Sequence, residues 1–308
     1  MFHYVTSRLT SAFVVVLGVS CLVFFFIHLI PGDPVEVMLG EAAGPADRQA
    51  LRQALGLDKP LLTQMLSYFS SLAQLDLGIS LHSREQISDL LWQRIPATIE
   101  LAVAGLLVAI LIAFPLGIIA ALKKDSFADH SAMTVSLLGV SIPNFWMGPL
   151  LILVFSIGLG WLPVSGREQA SSIILPALTL GTAMAAILSR MIRSTLLEVL
   201  GEDYIRTARA KGLSELSIVL HHALRNTLLP IVTLIGLQLG TLLGGAVITE
   251  IVFSWPGVGQ LTIESIQKRD YPLLQACILL ISVSYVVVNT LTDIVYGMLD
   301  PRVRLRES

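Results

Sequence analysis

TIELAVAGLLVAILIAFPLGIIAAL, residues 98–122, carries one charge, Glu100, in 25 positions. A bilayer core of about 30 Å is crossed by roughly 20 apolar residues in a helix, so this run reads as a membrane span. Working outward from it, comparable stretches lie near residues 9–30, 132–159, 174–198, 228–250 and 274–298. The stretch at 132–159 is interrupted by Pro143 and Pro149. Two spans there would need about 40 residues, so it reads as one kinked or tilted helix. The expected fold is therefore an all-α membrane protein with six transmembrane helices, in one domain covering residues 1–308.

Composition agrees. The 308 residues are 54% hydrophobic and 14% charged, where an average soluble domain has roughly 25% charged residues. The charges collect between the apolar runs, a segregation that marks a membrane protein. A net charge of -2 argues against a general nucleic-acid binder, which needs a basic surface to displace counterions. Cys21 and Cys277 both sit in apolar runs with no Cys or His at metal-ligand spacing, and read as small buried residues. The first run follows Arg8 but leads into Ile30-Pro31-Gly32-Asp33-Pro34 without a small-x-small cleavage pattern, and reads as an uncleaved signal anchor.

Lys and Arg in the loops give the orientation. With both termini in the cytoplasm, the inner side holds Arg8, Lys123, Lys124, Arg190, Arg193, Arg206, Arg209, Lys211, Arg225, Arg302, Arg304 and Arg306. The two short outer loops hold Arg167, Lys268 and Arg269. Residues 31–97 then form an external helical segment, expected to cap the outer mouth of the bundle. In it, 43–56 reads as a helix stopping near Gly56, and Pro60 opens another with Leu61, Leu62, Met65, Leu66 and Phe69 as its stripe. A third is expected after Ser83, with Gln86 completing a capping box and Leu90 and Leu91 inward.

The inner loop at 199–227 is the most ordered of the polar segments. EDYIRTARAKG, residues 202–212, places acids in the first helical turn and Arg206, Arg209 and Lys211 in the last, which suits the helix dipole. Gly212 fits a C-terminal stop and Ser214 can cap the helix that follows, giving a hairpin outside the membrane. A solvated basic loop obeying the positive-inside rule explains the charges as well. The order of the segment goes further: Tyr204, Ala208, Leu213 and Ile218 offer an apolar side, and Ala208 and Gly212 are small enough to admit another surface.

Elsewhere no Gly-x-x-x-x-Gly-Lys phosphate loop occurs, so ATP hydrolysis would have to come from another polypeptide. The six His residues are scattered, and no metal site is proposed. Gly158, Gly160, Gly244 and Gly245 read as close helix contacts, and Arg190 and Arg193 as snorkelling cations. Asn144, Phe145, Trp146, Glu250, Asn289 and Asp293 stand in or beside apolar spans, where polar groups are costly. They fit a translocation path, or equally local capping and helix–helix hydrogen bonding. Pro256, Gly257 and Gly259 in FSWPGVG make a tight outer turn.

LIPGDP (29–34), LGLDKPL (55–61), DLGIS (76–80), SIPNFW (141–146), GEDYIRTARAKGLS (201–214), HALRN (222–226), FSWPGVG (253–259), RDYP (269–272) and DPRVR (300–304) run through nearly the whole chain. Together they resemble the inner-membrane permeases of ABC importers for dipeptides, oligopeptides, nickel and glutathione. The resemblance implies a type I importer permease fold in the bacterial inner membrane, forming half of a pore with a second homologous permease. It implies one or two ATPase subunits that bind ATP and Mg, and an extracytoplasmic binding protein that delivers cargo. No cofactor belongs to this chain on that reading.

The same resemblance makes Asp203, Tyr204, Arg206, Ala208, Arg209, Lys211 and Gly212 the element that couples to the ATPase. This chain lacks the Glu that opens the general importer motif, having Arg206-Thr207-Ala208 there, and has Arg225 at the motif's Pro. Trp255, Pro256, Gly257, Gly259, Asp270 and Tyr271 would belong to the external mouth. Peptides are the expected cargo, with glutathione or chelated nickel as alternatives. Two other classes compete. A self-sufficient secondary transporter or channel predicts internal repeats and buried charge pairs, neither of which is clear in the sequence. An intramembrane enzyme needs a catalytic pair at matching depth, and none is visible.

Overall fold

The computed structural model describes residues 2–29, 35, 39, 44–54 and 56–299. LIPGDP beyond Leu29, and DPRVR with Arg302, Arg304 and Arg306, fall outside these residues. Among the described residues the chain is helical throughout, with a lone antiparallel bridge between Ile79 and Gln86 and no strand.

Helix α1 is Phe2–Leu29, and two short helices follow, α2 (Pro45–Ala54) and α3 (Leu61–Ala73). The long helix α4 is Ile87–Leu122. Next come α5 (Phe127–Ser141) and α6 (Asn144–Leu151), the latter prolonged by a π-helical turn to Gly158. Helix α7 is Ile174–Leu200 and α8 is Asp203–Ala210. A turn at Glu215–Ser217 and a π-helical turn at Ile218–Ala223 lead into α9 (Leu224–Val252). Helices α10 (Val258–Gln267) and α11 (Tyr271–Leu299) complete the described chain.

Five stretches are long and apolar enough to cross a membrane: Val5–Phe25, Ile87–Leu122, Ala170–Leu200, Glu215–Gly240 and Tyr271–Met298. A sixth exists only if α5 and α6 count as one span, and they meet at 102°. The expected single kinked helix is thus a sharp break. Ser141-Ile142-Pro143 supplies it: a proline forces the residue before it out of the helical region, and Ile142 is extended at φ -92°, ψ 115°.

The external helix expected after Ser83 and the span at 98–122 are one helix, α4, about 54 Å long at 1.5 Å per residue. Pro96 lies inside it without ending it. The carbonyl it orphans belongs to Trp92, whose side chain is 71% exposed at the helix end, where water can replace the lost partner. No capping box forms at Ser83. Gln86 is itself the N-cap and makes no side-chain cap bond. The Ser83 hydroxyl accepts from the Glu85 amide at 3.4 Å instead. The Leu61, Leu62 and Leu66 positions of the α3 stripe are exposed.

Packing centres on α4 against α7. Ala97, Leu101, Gly105, Ala109, Ala113 and Gly117 recur every four residues on the buried side of α4. Small residues at that spacing let helix backbones approach where lipid offers no hydrophobic drive for association. A Cβ on Gly117 would lie 2.7 Å from Ile192, and one on Gly181 would lie 2.6 Å from Val108. Close approach is therefore built at Gly105, Gly117 and Gly181. The expected contacts at Gly158 and Gly160 are not helix–helix contacts. Gly158 faces only the Leu153 carbonyl of its own turn, and Gly160 has φ +66° with open space around it.

Arg193 does not snorkel. Its Nε and Nη2 donate to the two carboxylate oxygens of Asp129 at 2.6 and 2.7 Å, joining α7 to the start of α5. Asp129 is buried and also accepts from the Asp125 amide, while Ser126 caps α5 by accepting from the Asp129 amide. Deeper along the same contact Ser136 and Ser189 share a hydrogen bond of 2.6 Å.

Candidate functional site

Polar structure gathers at the two ends of the bundle. At one end α8 and the turn after it form the hairpin anticipated from the sequence. Glu202 is extended at φ -70°, ψ 150° and starts α8, with Asp203 in the first turn and Arg209 in the last. Gly212 stops it at φ +81°, and its amide donates to the Arg209 carbonyl at 2.9 Å. The Ser214 hydroxyl then accepts from the Ser217 amide at 3.3 Å, which caps the next turn. Across the corner Arg209 donates to both carboxylate oxygens of Glu215, at 2.7 and 3.3 Å. That carboxylate holds the Arg209 guanidinium above its ordinary range, so the strap stays charged.

Ile205 and Ala208 are the buried residues of α8. They sit in a cluster with Ala121, Leu196, Ile218, Val219 and Ala223, so the hairpin is seated on the ends of α4 and α7. The four residues read as one apolar side are divided. Ala208 and Ile218 face inward, whereas Tyr204 and Leu213 are exposed. Ala208 is small because of its own chain's core. Gly212 has nothing within 4 Å of a would-be Cβ and lies open. Tyr204 is steadied by the Asn226 amide, which donates to its hydroxyl at 2.6 Å. Arg206 pairs with Asp203 at 3.1 Å, an exposed contact of little energetic weight.

The outward face of the hairpin therefore combines Asp203, Arg206, Arg209 and Lys211 with Tyr204, Leu213, Leu216 and Leu220, all exposed. Sequence reasoning missed Ile205 as the anchor and Leu216 and Leu220 as part of the face. The i, i+4 spacing of the two leucines was the available signal.

At the other end two buried carboxylates hold the segment between α9 and α11. Glu250 accepts from the Thr98 hydroxyl at 2.8 Å and the Gln260 amide at 2.9 Å. The same Thr98 hydroxyl accepts from the Val258 amide at 2.8 Å. Gly257 and Gly259 are required there, since a Cβ at Gly259 would lie 2.7 Å from the Val247 backbone and 2.9 Å from Glu250. Trp255 is buried and donates from its indole nitrogen to the Ala97 carbonyl at 2.8 Å. Asp270 accepts from the Ser80 hydroxyl, from the amides of Leu81 and His82 at 3.2 Å each, and from Leu273 at 3.3 Å. It ties residues 80–82 to the start of α11. Tyr271 is buried beside it and Pro256 is half-buried.

Arg167 lies over the Trp255 ring, 5.9 Å from its centroid, and its Nη2 is 2.6 Å from Glu100. The loop carrying it is fixed by the Gly166 amide, which donates to the Phe253 carbonyl at 2.9 Å. Glu100 and Arg167 read in the sequence as a lone span charge and an outer-loop cation but not as a pair, because 67 positions separate them.

The remaining sequence candidates do not converge. Asn144, Phe145 and Trp146 form the first turn of α6, with both rings exposed. Asn289 turns its Oδ1 into the α9–α11 interface beside Gly240. Asp293 pairs with Arg8 of α1 at 3.3 Å. Glu250 is fully buried and its carboxylate is taken up by Thr98 and Gln260. Among the described residues no three His, Cys, Asp or Glu side chains come together as metal ligands.

Residues 113–305 match the model of binding-protein-dependent transport system inner membrane components, and residues 1–102 match the N-terminal model for such membrane components. The di/tripeptide transport system permease protein DppB of Pseudomonas aeruginosa is 47% identical, over 99% of each chain. The glutathione transport system permease protein GsiC of Escherichia coli O6:H1 is 44% identical, over 99% of this chain and all of its own. Among solved structures, the MetNI methionine ABC transporter in an inward-facing form superposes with a TM-score of 0.58 at 19% identity. It covers 68% of this chain and 96% of its own.

Proposed function

Since the chain belongs to the family of binding-protein-dependent transport system inner membrane components, and is a multi-pass permease of an ABC importer, we propose that it forms half of an ATP-driven pathway for di- and oligopeptides. A second homologous permease completes the path, one or two ATPase subunits bind ATP and Mg, and an extracytoplasmic binding protein delivers the cargo. Both termini lie in the cytoplasm. The segment between α1 and α4 is periplasmic, and the loop at 199–227 enters the cytoplasm.

The observation that carries this reading is the hairpin at 203–219. It is anchored by Ile205 and Ile218 on the inner ends of α4 and α7, while its outer face mixes fixed charge with uncovered apolar side chains. A loop needed only for topology gains nothing from the Arg209–Glu215 strap or the left-handed Gly212. A lever between two proteins needs both a rigid root and an open face. ATP-driven closure of the ATPases would push on that face, and α4 and α7 would carry the displacement through their close contact at Gly117 and Gly181. At the opposite end the Glu250 and Asp270 clamps keep Trp255, Pro256, Gly257, Gly259 and Tyr271 as one preformed surface at the external mouth.

Peptide is favoured over glutathione by the relative that is 47% identical against the one at 44%, a small margin that leaves glutathione as the second reading. Isothermal titration of the partner binding protein with dipeptides, longer peptides, glutathione and a nickel chelate decides it. Micromolar or tighter binding of peptides alone is expected. Selective binding of glutathione or the nickel chelate would overturn the cargo and leave the permease role intact.

A further inference from the structure

Helix α3 has no charged residue and no buried one, although most of its side chains are apolar. At about 100° per residue, Leu62, Leu66 and Ala73 run down one flank, Tyr68 and Leu72 run down another about 120° away, and Ser67 lies about 120° from both. Among the described residues only the Tyr68 flank is covered. The Tyr68 ring packs against Phe24 of α1 at 5.7 Å between centroids, and Tyr68 and Leu72 border a small cleft against Pro272 and Gln275 of α11. Leu62 and Leu66 remain 64% and 61% exposed.

The location of that uncovered flank identifies its occupant. Phe24 lies at the end of the Val5–Phe25 span, so α3 crosses the bundle where α1 leaves the hydrocarbon. Helix α1 lies at the periphery, with Phe13, Leu17 and Leu22 exposed along it. The Leu62–Leu66 flank adjoins the flank seated on α1 and lies about 120° from Ser67, so it continues the lipid-facing surface of α1. We propose that α3 is an interfacial anchor, lying in the plane of the membrane with Leu62 and Leu66 in the acyl-headgroup boundary and Ser67 toward water. An amphipathic helix suits that depth, because its polar side reaches water and its apolar side reaches acyl chains. Helix α3 then fixes the height of residues 76–87 above the bilayer, and through Asp270 the height of the start of α11.

Single-cysteine variants Leu62→Cys, Leu66→Cys and Ser67→Cys test this, made with Cys21→Ser and Cys277→Ala in the full chain within its assembled transporter. Each is labelled with bimane and reconstituted in phosphatidylcholine brominated near the headgroup. Leu22→Cys, 70% exposed at the same end of α1 as Phe24, serves as the lipid-facing reference and transport activity reports folding. The expected result is quenching at Leu62→Cys and Leu66→Cys several-fold stronger than at Ser67→Cys and comparable to the reference. Quenching at Leu66→Cys no stronger than at Ser67→Cys overturns the proposal. So does a blue-shifted but unquenched label there, which would mean that protein covers the flank. If a cysteine variant fails to assemble, Leu66→Trp read by the same lipid quenching gives the same decision. The outcome is independent of cargo and of ATPase coupling.

Discussion

At the scale of the residue, the strongest claims concern carboxylates that are buried with their partners. Asp129 and Arg193 form a two-point ion pair between α5 and α7. Removing one partner from such a pair strands the other charge and costs about 3–5 kcal/mol. Asp129→Ala and Arg193→Leu should each lower unfolding stability in mixed micelles by that order, while the double variant should lose much less than their sum. Additive losses would show that the two side chains do not interact. Asp270 collects one hydroxyl and three amides, so Asp270→Ala leaves several buried donors unmet, at roughly 1–3 kcal/mol each. Protease cleavage near residues 76–87 should accelerate in that variant relative to Asp270→Asn, which keeps one acceptor oxygen. These partnerships were not legible in the sequence. Asp129 and Arg193 are 64 positions apart, Thr98 and Glu250 are 152, and Ser80 and Asp270 are 190. A single sequence carries no signal linking side chains across such distances. Arg193 accordingly reads as a snorkelling cation until Asp129 is seen opposite it.

At the scale of the element, local chemistry is decisive and was readable. Gly212 and Ser214 act on residues within three or four positions of themselves, and both the left-handed stop and the cap form as their types require. The face of the hairpin was less readable, because which apolar residues turn inward depends on Leu196 and Ala121 of other helices. Proline at 143 announces a break but leaves its angle open. The 102° bend places Gly148 within about a van der Waals contact of Phe253, a tertiary arrangement. Two substitutions test this level. Gly117→Val should destabilise the α4–α7 contact by about 1–3 kcal/mol or more, since even its Cβ meets Ile192 and the Ser189 carbonyl. Gly18→Val, where nothing lies within 4 Å, should be nearly neutral. At Gly212 the backbone demand and the open space separate cleanly. Gly212→Asn tolerates the left-handed conformation and should retain transport, whereas Gly212→Trp should leave ATP hydrolysis by the assembled complex while transport falls at least several-fold. Normal transport in Gly212→Trp would remove the hairpin from the coupling path.

At the scale of the whole molecule, helix placement and membership of the permease family suit the proposed half-pathway worked by a partner ATPase. Five spans follow directly from length and hydropathy, and the sixth depends on the bent pair α5–α6. The stripe of exposed residues down α4, from Ile99 through Val103 and Leu107 to Leu111, is not covered by this chain. Half of a pore would bury it against its sister subunit. Uptake into proteoliposomes tests the central claim most directly. The chain alone should neither hydrolyse ATP nor accumulate labelled peptide. The chain with its sister permease, ATPase subunits and loaded binding protein should accumulate peptide only when ATP is supplied on the ATPase side. Peptide accumulation by the chain alone in ATP-free liposomes would contradict the account.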